Sequence, residues 1–163
     1  MKEFGSLAAF AEHLLVMAET QAKAEHHALD RAARVVKAEA KRRIGEYQAA
    51  AGPFAAWAEL ADSTKEDRAR QGYSENDPGL RSGEMREGIE HTVGDGKAAI
   101  GSDDDKLVYF ELGTAKQPPR SVLGGAAAEK TEEVVKILGE AAVTALVGEE
   151  VVEGRLMISG SDR

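Results

Sequence analysis

Apolar residues in the first third of the chain recur at helical spacing. Leu7, Phe10, Leu14 and Met17 are three, four and three positions apart, a single stripe on one helix face. The stripe thins after Thr20, Gln21 and Ala22, then resumes with Leu29, Ala32 or Ala33, Val36, Ala40 and Ile44. Ser6 stands where an N-cap is needed, and no Gly or Pro interrupts residues 6–44. The pattern predicts one long helix, or two helices with a slight break near residues 20–27, ending at Gly45. Leu7, Phe10, Leu14 and Met17 are a candidate subunit interface. Packing of the same stripe on the domain's own sheet is the other reading, and spacing alone does not separate them.

Gly52-Pro53 stops this helical region, and Phe54 to Leu60 predicts a short apolar helix carrying the only tryptophan, Trp57. Residues 62–78 are polar and read as a long connection with room for one helical turn. Ser82 then caps a turn of helix through Met85 and Glu87. Ile89 to Val93 alternates apolar and polar residues, and residues 97–100 do so less cleanly. Between them Gly94-Asp95-Gly96 is a hairpin signal, because Gly and Asp tolerate the positive φ such turns need. The segment Leu107 to Leu112 is too short to assign between strand and helical turn, and Gly113-Thr114 ends it. Gln117-Pro118-Pro119-Arg120 forces an extended passage. Residues 126–147 predict a second clear helix from Val134, Val135, Leu138, Ala142, Ala145 and Leu146, closed by Gly148. Residues 151–158 predict an edge strand. The order describes an α+β chain: a long N-terminal helix or helix pair, a small antiparallel β-sheet with a hairpin, and a C-terminal helix packed on the sheet. We divide it into an N-terminal helical region (1–50), an α+β domain (51–148) and a tail (149–163).

Composition adds constraints. At 163 residues the chain suits one modest core, and its apolar content is ordinary for a globular protein. Aromatics make up only 5%. A core built from Ala, Val and Leu is thin, and such subunits often draw stability from neighbours. There is no cysteine, hence no disulfide or thiolate metal site. The first residues carry an acid and no long apolar run, so neither a secretory leader nor a membrane span is expected. The formal net charge is −8, with the first 50 residues near balance and the remainder strongly acidic. Arg31, Arg34, Lys37, Lys41, Arg42 and Arg43 form a basic run broken only by Glu39. That run is either a solvated helix face or a nucleic-acid contact, although the rest of the chain repels phosphate.

Chemistry-bearing residues do not assemble into a catalytic pattern. His26 and His27 are adjacent and point about 100° apart on a helix, His13 is three to four turns away, and His91 sits on a strand. None has the spacing of a metal site. Asp103-Asp104-Asp105 lacks the alternating ligands, Gly and distal Glu of an EF-hand loop and reads as a solvated hairpin exit. No nucleophile elbow and no phosphate-cradling glycine loop is present. Glu111, beside aromatics, reads as a structural anchor. No catalytic, metal or cofactor site is expected, and no enzyme activity.

Three stretches resemble one family. Leu80-Arg81-Ser82-Gly83-Glu84-Met85-Arg86-Glu87-Gly88-Ile89 resembles the L-[RK]-[ST]-G-x-[LM]-R-x-S-I stretch of a tailed-phage family described as head–tail joining, neck or minor tail components. Ile100-Gly101-Ser102, followed by Tyr109-Phe110-Glu111-Leu112-Gly113-Thr114, is similar to its V-G-[ST] and E-[FL]-G-T motif. Lys116-Gln117-Pro118-Pro119-Arg120-Ser121-Val122-Leu123 resembles its P-P-R-P-F-L exit before a C-terminal helix. Ser121 and Val122 stand where the family tends to have Pro-Phe, and Gly88 where it often has Ser.

The resemblance implies a homo-oligomeric ring joining a DNA-filled head to the tail. Its partners would be further copies of the chain and connector, portal-side or tail-tube proteins. Phage DNA would pass through the lumen without sequence-specific binding, in a virion assembled in the host bacterial cytoplasm with no membrane contact. A DNA-binding accessory protein using residues 31–43 is the alternative. The motif residues Leu80, Arg81, Ser82, Gly83, Met85, Tyr109, Glu111, Gly113, Thr114, Pro118, Pro119 and Arg120 would serve as scaffold. Gly113 would permit a tight turn, and Arg120 would pin a carboxylate such as Glu111.

Overall fold

The computed structural model describes residues 4–147. The first helix, α1 (Leu7–Arg43), runs unbroken for 37 residues, about 55 Å at 1.5 Å per residue. Ser6 caps it, its Oγ accepting the Ala9 N–H at 3.1 Å. Lys41, Arg42 and Arg43 occupy its last turn, where cations complement the helix dipole. Gly45, at φ 107°, turns the chain away, and its N–H donates to Pro78 O. No break occurs near residues 20–27, since nothing there disfavours helix.

The remaining elements are α2 (Asp62–Arg70), α3 (Glu84–Glu87), β1 (Glu90–Gly94), β2 (Lys97–Gly101), α4 (Asp105–Leu112) and α5 (Leu123–Val147). β1 and β2 form an antiparallel hairpin with Glu90 opposite Gly101 and Gly94 opposite Lys97. Asp95 and Gly96, at φ 52° and 68°, make its turn, as both central residues of a tight twisted hairpin require. The architecture is α+β, with a two-stranded sheet among the described residues. The edge strand expected at 151–158 and the closure at Gly148 lie outside the described residues.

α1 organises the rest through two opposite faces. One packs along α5: Ala28 and Ala32 bury against Ile137, with Val134, Leu138 and Ala141 alongside. The other carries the hairpin, where Lys37 bonds Glu90 at 3.0 Å and His91 Nε2 meets Asp30 Oδ1 at 3.0 Å. Nearer the C-terminus of α1, Val36, Ala40 and Ile44 join Trp57, Met85, Ile89, Leu107, Phe110, Val122 and Ala126 in the main core. Ala40 and Ala126 are fully buried and Trp57 and Phe110 cross edge to face at 5.4 Å. The small residues let backbones approach while two aromatics fill the volume.

Two local expectations are corrected, and one open segment is assigned. Residues 54–60 form no helix. Trp57 is buried with its N–H on Gln48 O and its Nε1 on Ser121 O, and the carbonyls of Ala58 and Glu59 accept from Arg120. Those long-range bonds satisfy the backbone in an extended form, and a seven-residue helix has too little cooperativity to compete. The polar connection instead holds a nine-residue helix, α2, anchored by buried Arg68. Residues 107–112 are helical because Asp104 caps them, its Oδ1 accepting the Lys106 N–H at 2.9 Å.

A buried base, Arg43, and a buried acid, Glu39, meet the half-exposed Glu129 of α5 at the α1–α5 contact. Arg43, 2% exposed, bonds Glu129 at 2.9 Å and lies near Glu39, which Arg42 grips through both carboxylate oxygens. Gly125 admits that guanidinium: a Cβ there would come within 2.4 Å of Arg43 Nη2. Held by Glu129 and enclosed, Arg43 has little room to yield. Gly125→Ala should therefore lower stability by about 1–3 kcal/mol. Gly139→Ala, with no atom within 4 Å of the new Cβ, should raise it by about 0.5–1 kcal/mol. Urea unfolding of the two variants checks the opposite signs.

Four carboxylates are held below their ordinary pKa by hydrogen-bonding partners: Asp30 by His91, Glu39 by Arg42, Asp67 by Arg70 and Glu90 by Lys37. Each binds its proton more weakly folded than unfolded. Their stabilisation is thus complete above the ordinary value, up to 4.5 for Glu, and is lost as pH falls through the lowered folded values. The urea midpoint should drop between about pH 5 and pH 3, and Glu90→Gln should make that drop shallower.

Candidate functional site

The most constrained local structure joins α4 to α5. Glu111, on the last turn of α4, points its carboxylate at the start of α5. It accepts from the backbone N–H groups of Val122, Leu123 and Gly124 at 2.6, 2.8 and 2.9 Å, and from the Ser121 hydroxyl at 2.6 Å. Ser121 Oγ in turn accepts the Gly125 N–H at 2.9 Å. These are the N–H groups a helix start leaves without intrahelical partners, and a negative charge is favoured there. This cap starts α5 at Leu123, three residues before the apolar periodicity becomes clear.

The chain between Glu111 and Ser121 is a tight excursion. Gly113, at φ 74°, lies so close to the returning strand that a Cβ would meet Pro119 N at 2.7 Å and Gln117 O at 2.9 Å. Thr114 and Gln117 exchange backbone bonds, and the Arg120 N–H returns to Phe110 O at 2.8 Å. Glycine is therefore needed for both conformation and space. Arg120 does not pair with Glu111. Its guanidinium donates to Ala58 O at 3.0 and 2.8 Å and to Glu59 O at 3.0 Å, lying over the Phe110 ring at 5.6 Å. The carboxylate is consumed by helix capping, so Arg120 instead ties down the segment before α2.

The 80–89 stretch packs beside this excursion. Leu80 lies under Gly45, Arg81 bonds Asp67 and Gln71 and covers Tyr73, and Ser82 Oγ accepts weakly from Glu84 N at 3.5 Å. Gly83, at φ 89°, precedes α3, so the residue before the helix is Gly83, one position after the predicted cap, Ser82. Met85 enters the core. Segments far apart in sequence thus meet: Arg81, Ser82, Gly83 and Met85 share the walls of one cleft with Tyr109, Pro118 and Arg120. Leu80, Glu111, Gly113, Thr114 and Pro119 lie outside its lining and support it.

Two residues at this cleft escaped the sequence reading. Arg68 sat in a run of charges and looked solvated, yet it is buried and donates to Ser74 O and Leu80 O. Gln117 looked like a polar residue of an extended passage, yet its Nε2 is buried without a partner. Neither has a local signal, because each is defined by what it meets across the fold.

The basic run is largely engaged within the molecule. Arg34 pairs with Asp30, Lys37 and Lys41 with Glu90, Arg42 with Glu39, and Arg43 with Glu129; of the run, Arg31 has no ion pair among the described residues. The acidic knuckle caps α4 through Asp104. No group of three His, Asp or Glu side chains could hold a metal ion among the described residues, and none of the helices searched there is long and apolar enough to cross a membrane.

The N-terminal half of α1 contrasts with this packed region. From residue 7 to residue 23 every side chain except that of His13 is exposed, including Leu7 at 83%, Phe10 at 40%, Leu14 at 48% and Met17 at 44%. Gln21 and Ala145 line one groove between α1 and α5, and buried packing between the two helices is present at Ala28 and Ala32. Residues 7–20, about 20 Å of helix, therefore carry an apolar stripe with no packing element among the described residues. No family model matches the chain, and no curated protein or solved structure does.

Replacing Glu111 strands three amide donors and a hydroxyl at a half-buried helix start. Glu111→Ala should cost about 2–4 kcal/mol of stability. Glu111→Gln, which keeps acceptor capacity on one side, should cost less. The ordering is measured by urea unfolding monitored by circular dichroism, and equal losses would contradict the capping role.

Proposed function

We propose that the chain is a non-enzymatic structural subunit of a tailed-phage head–tail junction, assembling as a ring that joins head to tail and lets DNA pass. The observation that carries the assembly is the stripe of Leu7, Phe10, Leu14 and Met17 on the N-terminal half of α1, exposed among the described residues. Contiguous exposed apolar surface of this kind marks a contact with another protein. The phage assignment rests on the resemblance of the three stretches within residues 80–123. Their convergence around one cleft, braced by Glu111, Gly113 and Arg120, supports reading them as one scaffold rather than scattered matches.

The charge distribution favours this role over a DNA-binding one. The cations of the 31–43 run are mostly neutralised by Asp30, Glu39, Glu90 and Glu129, and the chain as a whole carries −8. A lumen of that character does not grip phosphate, which suits passage of DNA.

Deleting residues 1–18 tests the assembly. Among the described residues that the truncation removes, Leu7 to Ala18 of α1 are exposed apart from His13, so the remaining chain should unfold with a nearly unchanged urea midpoint. The full chain should form rings under negative stain at high concentration, and the truncated chain should sediment as a monomer. Rings that persist without residues 1–18, or a full chain monomeric at every concentration, would overturn the reading.

A further inference from the structure

The cleft shared by the motif segments has a volume of about 510 Å³ and lies between α2, the loop before α3, α4 and residues 116–120. In a chain of net charge −8 its walls are basic: Arg68, Arg81, Lys106, Lys116 and Arg120 line it against one carboxylate, Glu59. Arg81 and Lys106 at the rim have acids of their own, Asp67 for the first and Glu84 and Asp104 for the second. Glu59 turns to Lys65 at 3.4 Å. Arg68, Lys116 and Arg120 have no carboxylate in ion-pairing distance among the described residues.

Two of these cations are buried, Arg68 at 6% and Arg120 at 2% exposure, and each donates only to backbone carbonyls. Burial lowers the proton affinity of Arg120, as it does for a cation lacking a counter-charge. Enclosed charge without a partner is normally avoided in folded proteins. A third anomaly sits on the same wall: the Gln117 side-chain Nε2 is buried and bonds to nothing. The buried groups lining the cleft that lack a counter-charge or an acceptor are thus two cations and an amide donor. Bracing the backbone accounts for some Arg68 and Arg120 N–H groups, but leaves both the charge and the Gln117 amide unanswered.

We propose that this cleft binds a short acidic segment of a partner protein, inserting an aspartate or glutamate carboxylate beside an apolar side chain. The carboxylate supplies the missing acceptor and counter-charge for Arg120, Arg68 and Gln117. The apolar neighbour suits the remaining surface, which Leu60, Met85, Tyr109 and Phe110 provide. A volume near 510 Å³ is of the size that encloses a small ligand or a few side chains. A free phosphate would leave the apolar walls unfilled, and a nucleic acid would bring a polyanion against an acidic surface. The site stands apart from the ring assembly, since none of its residues belongs to the stripe on α1.

An N-acetylated, C-amidated pentapeptide of alternating leucine and glutamate is the probe, with its glutamine counterpart as control. Titration into the ¹⁵N-labelled full chain is followed by NMR at the Gln117 side-chain amide and the Arg120 Nε–H. The glutamate peptide should shift both resonances saturably, and the glutamine peptide should bind at least about tenfold more weakly. Lys116→Glu, at an exposed rim position, should abolish the shifts. Lys136→Glu on α5, an exposed lysine outside the cleft lining, should leave them intact. Equal affinity for the two peptides, no saturable shift by about 10 mM peptide, or insensitivity to Lys116→Glu would overturn the proposal. Stronger shifts of the same resonances with inorganic phosphate or a twelve-nucleotide oligothymidylate would overturn it in favour of a phosphate site.

Discussion

The carboxylate of Glu111 accepts four hydrogen bonds at the start of α5, three from consecutive backbone amides and one from Ser121. This cap sets where the C-terminal helix begins and fixes its position against α4. Through Ser121 and Arg120 it also sets the path of residues 113–120, which must leave α4 and return within a few residues. Gly113 is required there because the returning backbone occupies the space a side chain would take. Arg120, released from any carboxylate, then reaches across to residues 58 and 59 and holds the segment around Trp57 without regular structure. A polar interaction near one helix end thereby organises most of the irregular half of the molecule.

α1 supplies the regular half. A single straight helix binds the hairpin by ion pairs on one face and α5 by alanine-rich packing on the other, with Arg43 and Glu129 bridging the two helices. Small residues at this contact bring the helices close but contribute little area each, so stability is distributed over many modest terms. The half-buried ion pair of Arg43 with Glu129 adds specificity of position more than net stability. Beyond residue 21 toward its N-terminus the helix has no such support among the described residues, and its apolar side chains there are exposed. The proposed assembly follows from this asymmetry: a well-braced domain carrying a long apolar-striped extension.

Charge follows the same division. Acids and bases along α1 and the hairpin neutralise one another, whereas the cleft beside α4 gathers positive groups that the described residues do not neutralise. The two surfaces point to different contacts, one apolar and helical, the other compact and basic. The role we propose, a junction subunit, would need contacts of more than one kind, to copies of itself and to the proteins above and below it.

Much of this organisation was legible along the chain. The long helix, the Gly94-Asp95-Gly96 hairpin and the C-terminal helix follow from periodicity and turn chemistry, which act within a few residues. The role of Glu111 as an anchor, and the need for glycine at position 113, were also readable. What the chain order did not disclose depends on partners distant in sequence. Phe54 to Leu60 has helical composition but stays irregular because Arg120, Ser121 and Gln48 satisfy it from elsewhere. Arg68 and Gln117 look solvated until the fold encloses them, and the Arg120–Glu111 pair fails because the same carboxylate caps α5. Local periodicity and turn chemistry thus determined the two long helices, the hairpin and the stripe on α1. Tertiary structure alone decided which polar groups meet, because hydrogen-bond partners and burial are set by chain segments brought together across the fold.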